Sequence, residues 1–494
     1  SGSLTVRGLL EIGIGVTWNT GGWETDISVQ GSTIVNGIWT GSGNANQGTH
    51  TFGGAFSVSS RGTYSLATTG VIQGNLNFNS DLIVHGSLTA PSNRSVNFSG
   101  GSAQTIGGDS TISFGNGLIA SQNLTVGSGA TVQIGAGKVL KVLKDLTVLG
   151  SISGPGGLSF EGDSKTLTNN SSITASAAFV PAAVAIAGAG VWSSITIASG
   201  CHATIEGEHA LIGAGTPLVV NGTVTIRSNN TILYRGSSGQ TIAPLSYRNI
   251  EINNPAGATL SLAASVSEVL TLRKGVFSAG SNLTLASSAS IVRETGSLTG
   301  TPNFGFQLTV AYVGSVPATT GPEIPSDTSA VVGLTINNSG GVTLGGGATV
   351  NGTVDVTGGN LITGSNKLTL GASATINETG PYSVIGQLRA TRTLTAGTKE
   401  TFGGLGVEIN AGGVAPGSTT VSRVIGSAST LASGTSIMRY FDITPTINSA
   451  LAATLVFHYG ACDLNGINAA NLKLFKSTDG GLSWATVGGV VDVP

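Results

Sequence analysis

The chain has 494 residues, a formal net charge of −2 and only 9% Asp, Glu, Lys and Arg, against roughly a quarter in ordinary soluble domains. Phosphate binding needs concentrated positive charge, and no Lys/Arg cluster is present, so nucleic acid is excluded as the expected partner. With 39% hydrophobic residues and 77 glycines, the chain can fill an extended core beneath a polar, weakly charged surface suited to lateral packing of like molecules.

Residues 1–73 open with the alternating triplet Leu4-Thr5-Val6 and carry Trp18, Trp23 and Trp39, three of the five tryptophans. A solenoid needs its first turn covered, so this stretch is expected to be an aromatic-rich cap or the first rungs. The alternative is a glycan-binding face on which Trp18, Trp23 and Trp39 stack on sugars. The chain starts at Ser1 and its single methionine is Met438, which suggests a removed targeting segment and hence export.

Residues 74–389 are dominated by short alternating triplets such as Leu76-Asn77-Phe78, Leu124-Thr125-Val126 and Leu146-Thr147-Val148. This is strand period: two side chains point to one face and the middle residue to the other. One such strand makes no core alone, but a stack of them closes a continuous interior. Triplet spacing is uneven and calcium-binding GGxGxD repeats are missing, so a right-handed parallel β-helix with irregular turns is predicted. About 15 to 20 rungs would give a rod of about 70 to 95 Å. An internal repeat, 250–296 and 334–380, matches Ile250, Leu260, Leu270 and Gly275 to Leu334, Leu344, Val354 and Gly359 at constant offset. Gln104-Thr105-Ile106 and Gln240-Thr241-Ile242 mark candidate repeat starts. The Pro-rich segment 302–325 between the copies is expected to be a loop with an outlying strand at Leu308-Thr309-Val310.

The most apolar run, 177–192, contains Pro181 and two glycines. It falls short of the roughly 18 to 20 residues that span a bilayer, so it is read as buried strands with an apolar loop, and no membrane span is predicted. From about residue 390 the triplets give way to longer alternating strands around Met438 to Ile443 and Leu455 to Tyr459. An antiparallel β-sandwich over 390–494 is predicted.

The motifs from Gln240-Thr241-Ile242 onward, including LTINNSGGVTL, INETGPYSVIGQLRATRTL, SIMRYFDITPTINSALAATLVFHY and DLNGINAANLKLFKSTDGGLSW, resemble the large secreted surface proteins of the Bacteroidetes/Chlorobi group. The resemblance covers about residue 238 to the end. It implies a bacterial, extracellular, cell-surface protein that pairs β-helical repeats with a C-terminal sandwich, of a kind often exported by a type IX system, and it implies no particular activity. In similar proteins the sandwich continues through another strand after the Ser-Trp hairpin. A sandwich short of a strand would offer a groove for head-to-tail strand addition, with Leu4, Val6, Leu9 and Ile12 of the N-terminal stretch as the donor.

A polysaccharide-degrading β-helix would need clustered carboxylates with Lys or Arg beside them, and the solenoid sequence has no such cluster. Its densest polar stretch, 201–209, would face Cys201, Ala203 and Ile205 inward and His202, Glu206 and Glu208 outward. That spacing matches no tetrahedral metal motif, so a solvated strand face is expected. Cys201 and Cys462 are read as two buried free thiols or one long-range disulfide. Residues 477–484 fit the Asp-box pattern SxDxGxxW, whose role is to shape a turn. The expected protein is a non-enzymatic, self-assembling extracellular subunit of a surface filament, sheath or layer. It needs no cofactor or metal, and its expected partner is a second copy. The alternative is an adhesin or glycan-binding protein acting as single molecules, and a glycan-degrading enzyme comes third.

Overall fold

The computed structural model describes residues 2–20, 25–41, 48–66, 75–90, 96–114, 118–180, 182–325, 330–431 and 434–492. Trp23 lies outside them. The protein is all-β, with parallel strands making about 17 solenoid turns in all. The helical segments among the described residues are the short 3-10 turns Gly280–Asn282, Ala461–Asp463 and Ala469–Asn471. The chain divides into two compact units, 1–264 and 265–494. This division falls inside the stretch predicted as one solenoid domain.

In the first unit, each turn supplies strands to three parallel stacks. One runs Gly2–Val6, Thr25–Val29, His50–Phe52, Leu76–Phe78, Val96–Phe98 and onward. A second is the eleven-stranded sheet from Leu10–Ile12 to Thr223–Ile226. The third begins Thr17–Asn19, Ile38–Thr40, Thr63–Ser65 and Ser87–Ala90. The triplets fold this way because their outer residues, such as Leu76 and Phe78, find identical positions one turn away. Phe52, Phe78 and Phe98 are in register, with centroids 5.4 Å apart at each step. Stacked rings of this kind add to what their buried area alone contributes.

The run 177–192 forms parts of three strands, Ser172–Phe179, Ala183–Ala187 and Ala189–Ile197, with Val180 exposed at the corner. No helix of the described residues is long and apolar enough to cross a membrane.

The Gln-Thr-Ile motifs are corner clamps. Gln104 donates to the carbonyls of Phe78 (2.7 Å) and Ser80 (2.9 Å) and accepts from the Gly100 N–H (3.3 Å). Gln240 repeats this with the Leu211 and Gly213 carbonyls (2.9 and 2.7 Å) and the Gly236 N–H (3.0 Å). Both amides are buried, and each satisfies backbone groups that the corner would otherwise strand away from water. The internal repeat has the same logic. Asn254 Oδ1 caps the Ala256 N–H and Asn338 Oδ1 caps the Gly340 N–H, each at 2.9 Å. The turns close with Gly257 and Gly341 at φ +87° and +80°, where a side chain would be strained. Ile250, Leu260 and Leu270 are buried, as are Leu334, Leu344 and Val354.

In the second unit, Ser290–Arg293, Leu308–Gly314, Val331–Asn338, Thr353–Val356 and Thr375–Glu378 stack in parallel. Leu308–Gly314 is therefore a full rung strand and not an outlier: Leu308, Val310 and Tyr312 alternate inward and are buried. Val384–Leu394 is the strand at which direction changes. It pairs in parallel with Leu361–Leu370 on one edge and antiparallel with Gly417–Ile425 on the other. Arg439–Pro445 continues that antiparallel sheet, while Lys399–Glu400, Val407–Ala411 and Ala453–Phe457 form a second one. Phe441 and Phe457, one from each sheet, touch at 5.2 Å.

Candidate functional site

The N-terminal aromatics are stacked within the rungs. Trp18, Trp39 and Tyr64 occupy the same register position on successive strands. Trp18 lies 4.5 Å from Trp39, and Trp39 meets Tyr64 at 5.0 Å. Trp39 is 0% exposed and Trp18 half-buried. A ring with no exposed face cannot stack on a sugar, so Trp39 belongs to the core. The buried His50 Nδ1 lies 2.9 Å from the Tyr64 hydroxyl.

The stretch expected to act as a donor strand is also engaged. Leu4 and Val6 lie on Gly2–Val6, in register with Ile27 and Val29. Ile12 is buried on Leu10–Ile12, which pairs with Thr33–Val35, and Leu9 precedes that strand and is 57% exposed. These residues build the first rung, because their alternation fits the neighbouring strand as well as it would fit a foreign sheet. Release of these strands as a free donor segment would give up this pairing.

The solenoid's acidic residues recur as ties between turns. Asp26 accepts the Thr49 N–H (2.7 Å), Asp81 that of Thr105 (2.7 Å), Asp145 that of Thr166 (2.9 Å) and Asp163 that of Ala182 (2.6 Å). Each partner belongs to a neighbouring turn, and hydrogen bonds to a carboxylate are among the stronger kind. No group of three or more His, Cys, Asp or Glu that could hold a metal ion occurs among the described residues.

Within 201–209, Cys201, Ala203 and Ile205 face in, and His202 and Glu208 are exposed. His202 contacts the hydroxyls of Thr223 (2.8 Å) and Thr225 (3.3 Å). The sequence reading missed His209, which turns inward after Gly207 (φ +88°) and is fully buried. Both cysteines are free thiols, but only Cys201 is buried and Cys462 is exposed. The expectation of two buried thiols is corrected there, because the 3-10 turn Ala461–Asp463 buries Asp463 and leaves its neighbour outside. Burial, with a smaller contribution from Asp163, pushes the Cys201 thiol up.

Two charge clusters in the second unit were not legible in the sequence. Glu323 is fully buried, and its Oε1 accepts from Arg293, the Tyr312 hydroxyl (2.7 Å) and the Gly321 N–H (2.9 Å). Burial first, then the charge of Glu323, holds the Tyr312 phenol well above its usual range. In the second cluster, Arg423 is buried and makes a bidentate pair with Glu378 (2.6 and 2.7 Å). Arg439 pairs with the buried Asp463 (3.0 Å). Burial and then the nearby Arg423 lower the Arg439 guanidinium from its usual value.

The Asp-box turn closes on itself. Asp479 accepts from the Ser477 hydroxyl and from the Leu482 and Ser483 N–H groups, while the Trp484 indole N–H donates to the Gly481 carbonyl (3.2 Å). Hydrogen bonds, first among them that from the Ser483 hydroxyl, hold the exposed Asp479 carboxyl far below the usual carboxylate range. Compared with protein-family models, with curated proteins and with solved structures, the chain matches none.

Proposed function

We propose that the chain is a non-catalytic structural subunit of an extracellular bacterial assembly, a β-solenoid protein that packs with further copies of itself into a surface filament, sheath or layer. The observation that carries this reading is the repeated use of Asp26, Asp81, Asp145 and Asp163 to tie one turn to the next. Side chains that a cleft-forming β-helix would direct to a substrate serve here to stiffen the stack. The low charge supports the same reading, since only 9% of residues oppose close lateral packing. The solenoid is right-handed, as parallel crossover connections nearly always are, and the antiparallel C-terminal sheets form a sandwich. Among the described residues, Arg439–Pro445 and Ala453–Phe457 each pair on one edge only, and free edges of this kind are sites for strand addition. Exchange of the N-terminal stretch is not part of the proposal, because that stretch is already paired. Glycan binding through Trp18, Trp23 and Trp39 is disfavoured by the burial of Trp39.

Sedimentation velocity over a concentration series tests this. Mass that grows with concentration and persists in high salt is expected. A single monomeric species throughout, with saturable binding to surface glycans, would transfer the function to the adhesin reading.

A further inference from the structure

His209 and Trp192 form a buried polar pair inside the first unit. Both are 0% exposed. The Trp192 indole N–H lies 3.1 Å from His209 Nδ1, and His209 Nε2 lies 2.9 Å from the Glu206 carbonyl oxygen. An indole nitrogen only donates and a carbonyl only accepts, so the partners fix the tautomer: Nδ1 is bare and Nε2 carries the proton. Gly190, in register with His209, leaves space for the buried Asn169 side chain, since a Cβ there would sit 2.3 Å from the Asn169 amide nitrogen.

No charge is available to stabilise an imidazolium at this position. His209 is in register with Gly190 and Ile232. On the surrounding strands, Lys165 is half-buried at the surface and His202, Glu208, Arg227 and Arg235 are exposed. Glu206 is half-buried and contributes its carbonyl to the ring. The remaining titratable groups, Cys201 and Tyr234, are buried with their pKa values pushed up by that burial, Tyr234 to about 12, so both are neutral. Burial is the main cause that brings His209 down to about 4.

We propose that the Trp192–His209 pair is an acid-sensitive breakpoint of the solenoid, at which protonation of Nδ1 sets two donors against each other and opens the turn spanning 189–212. Protonation removes the acceptor of a fully buried indole N–H and leaves a buried cation without a counter-charge, and both are costly. The proposal stands apart from self-assembly and would hold for a monomer.

The folded-state value lies below the unfolded value of about 6.5, so the unfolded chain binds the proton more readily. The contribution is complete above about pH 6.5, is lost as pH falls towards about 4, and does not change further below that. Urea unfolding of the full chain at about pH 7 and about pH 5, where most carboxylates remain ionised, isolates it. The unfolding constant of the native chain should rise about 20-fold over that interval. That of His209→Gln, whose amide can accept from the indole and donate to Glu206 without titrating, should stay flat. A parallel rise in both chains would overturn the proposal. Should H209Q fail to fold, NMR of the native chain with labelled histidine and tryptophan decides. Loss of a buried indole signal together with an imidazole titrating near pH 4 supports the breakpoint. An indole signal unchanged to pH 3, or titration of every imidazole near 6.5, overturns it.

Discussion

The parallel turns of residues 75–180 and the direction change at 384–463 solve the same packing problem with different materials. In the former, a side chain meets its equivalent one turn on, as Phe78 meets Phe98, and charged groups such as Asp81 and Asp145 are left to tie backbone at the corners. In the latter, Gly417–Ile425 runs against Val384–Leu394 and the strand-to-strand equivalence ends. A chain of ion pairs sits there instead, the buried Arg423 with the half-buried Glu378 and the half-buried Arg439 with the buried Asp463. Repetition supplies its own register, whereas a reversal needs a specific contact that no other alignment can satisfy. A buried ion pair does this well even where it adds little net stability.

If that distinction holds, the largest loss should come from Arg423→Ala. Removing the guanidinium leaves Glu378 without its bidentate partner inside a packed region, at a cost of about 3 to 5 kcal/mol. Hydrogen exchange should show the loss confined to 384–463, and an even loss along the chain would contradict the contrast. Next is Gly359→Ala, where the added Cβ would lie 1.8 Å from the Asn338 carbonyl oxygen. Backbone cannot yield as a side-chain tip does, so about 1 to 3 kcal/mol or more is expected in denaturant unfolding. Gly346→Ala, with open space around it, serves as the control.

Gln104→Ala should cost about 1 to 3 kcal/mol, because it removes the partner of the Ser80 carbonyl and of the Gly100 N–H, while the Phe78 carbonyl keeps the Ser99 N–H. Gln240→Ala should do the same at its own corner. The smallest effect should follow Asp145→Asn, which keeps an acceptor for the Thr166 N–H and loses only charge assistance, under about 1 kcal/mol. An Asp145→Asn loss as large as that of Arg423→Ala would mean that the corners, and not the reversal, carry the specificity.

What the sequence showed, and what it hid, divides along the same line. Triplets such as Leu124-Thr125-Val126 announce both strand period and the inward pair, and Leu124 and Val126 are indeed buried. The internal repeat was visible in the matched positions of 250–296 and 334–380, but the turn-capping role that Asn254 and Asn338 share needed coordinates to be seen. Long-range polar pairing left no local trace. Arg423 and Glu378 are 45 positions apart, and neither has neighbours that announce a buried charge. Leu308–Gly314 looked peripheral because prolines surround it, yet tertiary pairing on both edges places it in a rung. His209 shares the inward phase of Cys201, Ala203 and Ile205 and is buried with them; it was missed because a polar, titratable side chain does not announce itself as core. Trp39 shows the limit for site residues: its type suits a sugar platform or a core equally, and only burial separates the two.

The most direct test of the structural-subunit account is electron microscopy of the purified protein. The account predicts filaments or sheets whose axial repeat matches the length of one molecule. Dispersed single molecules at every concentration, in material that still contains the N-terminal rungs and the C-terminal sheets, would contradict it.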